Sequence, residues 1–286
     1  MRVLSLEYGQ RQSPYFFAKK AKQALKSARE TIANCINAAP DEIYFTSGGS
    51  ESDNWAIKGT AFSDTKKQIT ITSAFEHHAI LNSCKAIEKL GYPVLYLQPT
   101  ETGLITAENL KKIITSQTRL VSVMFANNEI GTIQPVKELC KIAHDNGALF
   151  HTDAVQAVGH IPIDVKNFGV DMLSASAHKF NAPKGIGFLY IRKGIKIPPL
   201  IDGGAQEFSK RAGTENIAAI VGMAEALKNN CVSLEKNQIH IKQLENIFFD
   251  KLDQLKIAYV KNGGENTLPG LISLSFENQN GESILH

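Results

Sequence analysis

Read as apolar and polar positions, the chain alternates short, continuous apolar runs with longer stretches of helical period. The first helical stretch is 17–37, through Phe17, Ala21, Ala24, Leu25, Ala28, Ile32, Cys35 and Ile36, with Pro40 stopping it. Strand-type runs follow at 42–45, 68–72, 93–97, 119–125, 148–152 and 188–191. Between them, helices are predicted from Ser50 onward, from the Glu76-His77-His78 segment to Leu90, within 102–115 and over 136–146. A long helical region covers 215–254, and 258–260 and 271–276 read as two further strands separated by Gly263-Gly264 and Pro269-Gly270. The last residues, from Gly281 to Leu285, read as the first turn of a helix that is not completed. Strand and helix in alternation at this spacing imply an α/β protein with a mostly parallel, doubly wound sheet and right-handed crossovers.

Two stretches concentrate candidate chemistry. The run 149–156 passes from apolar residues to His151, Thr152, Asp153 and Gln156, and 174–180 ends in Ser176, His178 and Lys179. An open parallel sheet binds ligands where its strands end, so neighbouring strands would deliver these groups to one place. Asp153 and Lys179 suit pyridoxal phosphate, with the lysine forming a Schiff base and the carboxylate keeping the pyridine nitrogen protonated. A salt bridge at a sheet edge accounts for the pair alone equally well. In Thr46-Ser47-Gly48-Gly49-Ser50-Glu51-Ser52-Asp53, Ser50 reads as a helix N-cap and Asp53 as the acidic partner of a capping box. A helix start with free N–H groups and hydroxyls also takes phosphate, although a plain strand-to-helix turn is the simpler reading. Glu76, His77 and His78 are consecutive and do not face one way, which argues against a metal; a single ring could stack on a planar cofactor. The polar loop 203–216 has a length that usually carries function.

Composition narrows the class. With 286 residues, 43% hydrophobic and 21% charged, the chain suits one large domain plus a fragment of a second. We expect a remnant segment at 1–16, a large domain with its connecting long helix at 17–254, and the start of a truncated small α+β domain at 255–286. A net charge of +3 without a basic run gives no nucleic-acid arm, and no apolar run approaches a membrane span. No secretory pattern opens the chain, so a cytoplasmic location is expected. Cys35, Cys84, Cys140 and Cys231 lack metal-ligand spacing and read as reduced thiols packed in helices.

Six motifs in order now carry a resemblance: Thr-Ser-Gly-Gly-Ser-Glu-Ser, Glu-His-His-Ala, Asn-Asn-Glu-Ile-Gly, His-Thr-Asp-Ala-Val-Gln, Ser-Ala-His-Lys-Phe with Pro-Lys-Gly-Ile-Gly, and Arg-Ala-Gly-Thr-Glu-Asn. Over about 18–286, and weakly over 8–17, the chain resembles the NifS/IscS-like cysteine desulfurases of the class V, fold-type I pyridoxal-phosphate enzymes. The resemblance implies a large domain of that fold with a small C-terminal domain. It gives Lys179 the Schiff base, Asp153 the pyridine nitrogen and Gln156 the ring 3-oxygen. His77 would stack on the ring and move protons, and Asn128 would sit by the cofactor and substrate carboxylate. Gly49, Ser50, Ser176 and His178 would hold the phosphate, and Thr214 would reach the phosphate bound by a partner subunit, making the protein a homodimer. The implied substrate is L-cysteine, converted to alanine and an enzyme persulfide, with a sulfur-acceptor or scaffold protein of iron–sulfur or thiolation pathways as partner.

The departures carry expectations of their own. The family's N-terminal Tyr-Leu-Asp-Asn-Ala-Ala-Thr-Thr segment has no counterpart, and its Asn-Pro-Ser-Ser-x-His is replaced by Gln10-Arg11-Gln12-Ser13-Pro14-Tyr15. Gln206-Glu207-Phe208-Ser209 stands where the family has Gln-Glu-Arg-Gly. The persulfide-bearing loop cysteine and the carboxylate-binding arginine of the family have no counterpart in 1–286, so little cysteine turnover is expected. Three readings stay open: a truncated desulfurase-like protein, another class V enzyme such as a lyase or aminotransferase, and a non-catalytic dimerising remnant.

Overall fold

Strands β1 (Ile43–Thr46), β2 (Ile69–Ser73), β3 (Val94–Leu97), β4 (Thr118–Ser122), β5 (Leu149–Asp153), β6 (Met172–Ser176) and β7 (Gly187–Ile191) pair edge to edge in the order β1-β7-β6-β5-β4-β2-β3. This is seen in a computed structural model that describes residues 16–63 and 66–284. The expected 1–16 segment, but for its last residue, lies outside the described residues. Pairs β2–β3, β2–β4, β4–β5 and β5–β6 are parallel, whereas β7 runs antiparallel to β6 and β1. The reversal has a simple cause. Residues 177–186 are too few for the crossover helix a parallel return needs. Both β6 and β7 are buried at every position, which explains their near-continuous apolar character.

Helices cover both faces, as a doubly wound sheet requires. On one side α1 (Phe16–Cys35), α4 (Ala107–Ile113), α5 (Val136–Asp145) and α7 (Ile217–Val232) bring Leu25, Ile32, Leu110, Leu139 and Met223 into one core with Phe150 and Phe188. On the other, α2 (Gly49–Phe62) and α3 (His78–Glu88) pack Trp55, Ile57, Ile80 and Ile87 against Leu120 and Leu189. A single turn of helix, α6 (Val165–Phe168), was not signalled by periodicity because it is too short to show any. The long helical region is two helices, not one. It breaks at Ser233, after which α8 (Leu234–Gln254) runs on with no buried residue. Beyond it β8 (Tyr259–Lys261) and β9 (Leu274–Phe276) form a small antiparallel unit.

The α2 start also corrects an expectation. Gly48, at φ 150, is the N-cap and makes no side-chain cap, so Ser50 lies inside the first turn and Asp53 is no capping acid. Glycine is needed at 187 across from it, because a Cβ there would stand 2.7 Å from the Gly48 Cα. The loop 203–216 carries structure as well as polarity. Its Glu207 is buried, takes Arg29 of α1 in two bonds of 2.6 and 2.8 Å, and accepts the Phe45 N–H.

Candidate active site

Strand ends build the site. Asp153 closes β5 in register with Ser174 of β6, Ser176 closes β6 two residues further on, and a 3-10 turn over Ala177–Phe180 then presents His178 and Lys179. That turn is pinned through its backbone. Ala177 N–H donates to the Ile186 carbonyl, Asn230 to the Phe180 carbonyl, and His160 Nε2 lies 2.7 Å from the Lys179 carbonyl oxygen. Left-handed Asn181, at φ 65, ends it. Lys179 is therefore placed by fixed main chain while its amine stays at the cavity wall.

The cavity has a volume of about 680 Å³, within the range of small-molecule sites. Gly49, Ser50, His77, Asn128, Asp153, Gln156, Ser176, His178 and Lys179 all line it. The tenth candidate, Thr214, does not. It lines a neighbouring crevice that shares Ser47 and Gly185 with the cavity. His77 caps α3, its Nδ1 accepting the Ala79 N–H at 3.1 Å, which leaves the proton on Nε2. Ser176 Oγ and His178 Nδ1 lie 2.9 Å apart. Partial burial, together with the Lys179 and Lys184 charges, lowers the His178 pKa. Asp153 accepts the Val155 N–H at 2.9 Å. Burial raises its pKa, against the pull of that N–H, His77 and Lys179.

These groups fit pyridoxal phosphate. The first turn of α2 and the Ser50 and Ser176 hydroxyls suit a dianion. A buried carboxylate in the same cavity suits a protonated ring nitrogen, and Lys179 adds a primary amine. Gly49 keeps the anion end open and close: a Cβ there would meet Val155 at 2.6 Å. Among the described residues no three His, Cys, Asp or Glu converge as a metal site.

The cavity residues not foreseen as such include Glu51, Asp53, Met124 and Lys184. Asp53 had a legible signal. It shares the α2 face of Gly49, Ala56, Ile57 and Thr60, all buried, and an acid on such a face needs a partner. None of the four cysteines lines the cavity. Burial pushes the Cys84 and Cys140 thiols up to about 12. Cys35 on α1 and Cys231 on α7 hydrogen-bond each other, which raises the Cys35 pKa and lowers that of Cys231. Among the described residues no helix is long and apolar enough to cross a membrane.

Comparison with known proteins gives the family. The class-V aminotransferase family model matches residues 4–286. Cysteine desulfurase IscS of Dictyoglomus turgidum is 48% identical over 284 residues, covering 99% of this chain and 72% of that protein. The IscS of Methanosarcina thermophila is 46% identical, over 97% of this chain and 69% of its own length. Among solved structures, a NifS-like protein superposes with a TM-score of 0.95 at 37% identity, covering 99% of this chain and 78% of that one. DndA from Streptomyces lividans does so with 0.90 at 34%, covering 99% and 81%. The chain belongs to the class-V aminotransferase family of fold-type I proteins and groups there with the IscS-like cysteine desulfurases.

Proposed function

We propose that this chain binds pyridoxal phosphate through Lys179 and takes L-cysteine as substrate, in the manner its IscS-like relatives' names describe. The observation that carries the reading is the shared cavity of Lys179 and Asp153, with the α2 start lining it as well. When bound, the cofactor supplies an electron sink for the carbon bearing the substrate's amino group. The chain supplies the rest. The Lys179 amine gives the covalent anchor, and the Asp153 carboxylate would hold the ring nitrogen protonated. Gln156 would hydrogen-bond the ring 3-oxygen. The phosphate would be held by Gly49, Ser50, Ser176 and His178. His77, fixed with its proton on Nε2, is the group that moves protons above the ring, and Asn128 orients the substrate carboxylate.

The thiol that receives sulfur is none of the chain's four cysteines, which lie on helices and away from the cavity, and is supplied from outside residues 1–286. Thr214, outside its own chain's cavity, serves the phosphate of a second copy. Light scattering with cofactor present checks this, and a monomer at tens of micromolar would count against it.

The deciding experiment is cofactor uptake. Purified chain with added pyridoxal phosphate is expected to gain visible absorbance and to keep the label after borohydride reduction, and Lys179→Ala to lose both. Folded wild type that stays colourless overturns the reading. Alanine and sulfide release from cysteine, with dithiothreitol as acceptor, then tests the substrate. Replacing Cys84 or Cys140 with Ala is expected to leave that release unchanged. Cofactor uptake without release from cysteine favours another class V reaction.

A further inference from the structure

Beneath Asp153 lies a buried polar layer that the proposed reaction does not use. Asp53, only 1% exposed, lines the cavity with its carboxyl against that of Asp153, whose charge acts on it. Two acids in contact away from water do not both stay charged, so one holds a proton. Geometry decides which. Asp153 accepts the Val155 N–H and faces Lys179 and His77, both of which favour its charged form. Asp53 has less: its Oδ1 finds no hydrogen-bond donor among the described residues, and His151 Nε2 stands 3.8 Å away.

His151 does not offset the charge. Its ring is fully buried, with Ser122 Oγ 2.9 Å from Nδ1 and Ser174 Oγ 2.9 Å from Nε2, and burial lowers its pKa to about 3. Glu76, the other acid facing this layer, is buried too. Despite bonds from Ser73 and the Met124 N–H, its pKa is raised to about 8. Ser122 Oγ, the His151 ring and Ser174 Oγ thus satisfy one another in a single buried line beside Asp53.

We propose that Asp53 is a positioning residue: a neutral carboxylic acid that donates its proton to Asp153 and keeps Asp153 the one charged carboxylate presented to the cavity. It stands between Asp153 and the buried line of Ser122, His151 and Ser174, with His151 Nε2 3.8 Å from its Oδ1. This rests on the assignment of Asp153 to the pyridine nitrogen made above.

Asparagine at 53 keeps a neutral donor of the same shape, and alanine removes it. Infrared difference spectra of the cofactor-free full chain at pH 7, wild type minus Asp53→Asn, are expected to show one protonated-carboxyl band. No such band means that Asp53 is ionised and overturns the proposal. In titrations with pyridoxal phosphate, Asp53→Asn is expected within about threefold of wild type and Asp53→Ala about tenfold weaker or more. Asparagine as damaging as alanine, or alanine as good as wild type, overturns it as well. Circular dichroism checks that each variant folds; should Asp53→Ala not fold, the asparagine titration and the infrared band still decide. Wild type that takes up no cofactor defeats the site assignment instead, while the infrared band continues to report whether the pair holds a proton.

Discussion

Glu207, Phe208 and Ser209 stand at φ 44, 58 and 63, three consecutive non-glycine residues in the left-handed region. Each costs roughly 1 kcal/mol or more there, because the Cβ crowds the following carbonyl. Glu207 is compensated by its buried bonds to Arg29 and Phe45. Ser209 is exposed and makes no such buried bonds among the described residues. Ser209→Gly is therefore expected to stabilise the chain by about 0.5 kcal/mol, the relief being partly offset by glycine's freedom in the unfolded chain. The urea midpoint reads this out; a lower midpoint would mean that serine is not strained there. The same local logic holds at the site, where Lys179 depends on fixed backbone at 177–181 and His77 on the α3 start.

At the scale of elements, the Arg29–Glu207 pair joins α1, β1 and the loop that precedes α7. Arg29 also donates to the Ile43 carbonyl, and its guanidinium lies over the Phe45 ring, 4.3 Å from the centroid. Removing one member of a buried pair leaves the other charge uncompensated, commonly at a cost of about 3 kcal/mol or more. Glu207→Ala is expected to lose that much in urea unfolding. It should also weaken cofactor uptake indirectly, because Arg211 in the same loop pairs with Glu51 on the cavity wall. A loss under 1 kcal/mol would show that the loop is not held by this pair. The strand order has the same consequence at the site: β5 and β6 are neighbours, so Asp153 and Lys179 share one cavity wall.

Taken as a whole molecule, the buried titratable groups set how stability follows pH. Glu76 has a folded pKa of about 8 against an ordinary 4.5, so the folded chain keeps a proton that the unfolded chain releases between those values. Stability falls as pH rises through that window, at a slope of about 1 kcal/mol per pH unit. Asp53 and Asp153, also raised by burial, act in the same direction. His151 acts in the opposite one. Its folded pKa of about 3 lies below an ordinary 6.5, so stability rises with pH between them. The slopes of Glu76 and His151 offset each other from 4.5 to 6.5, and a decline is expected above 6.5 as far as pH 8. Glu76→Gln should make that alkaline decline shallower in urea unfolding across pH 5 to 9. An unchanged decline in the variant would exclude Glu76 as its source.

Order and type of the elements belonged to the sequence, because apolar periodicity is a local property that survives without knowledge of neighbours. Six strand-like runs and the polar ends of β5 and β6 were legible for that reason, and Asp153 and Lys179 with them, whereas α2 starts at Gly48 and not at the Ser50 the sequence suggested. Tertiary structure decided the partners. Only the sheet order shows that β7 is reversed, and only packing shows that Glu207, in a polar loop, is buried on Arg29, 178 residues away. Thr214 reads as a site residue in sequence but lies outside its own chain's cavity. Asp53 reads as a cap and is instead in contact with Asp153, 100 positions further along. A polar side chain carries no mark in sequence of whether water or another buried group will face it. Desolvation and long-range pairing arise only when the chain is closed, and they set the protonation states on which the proposed chemistry depends.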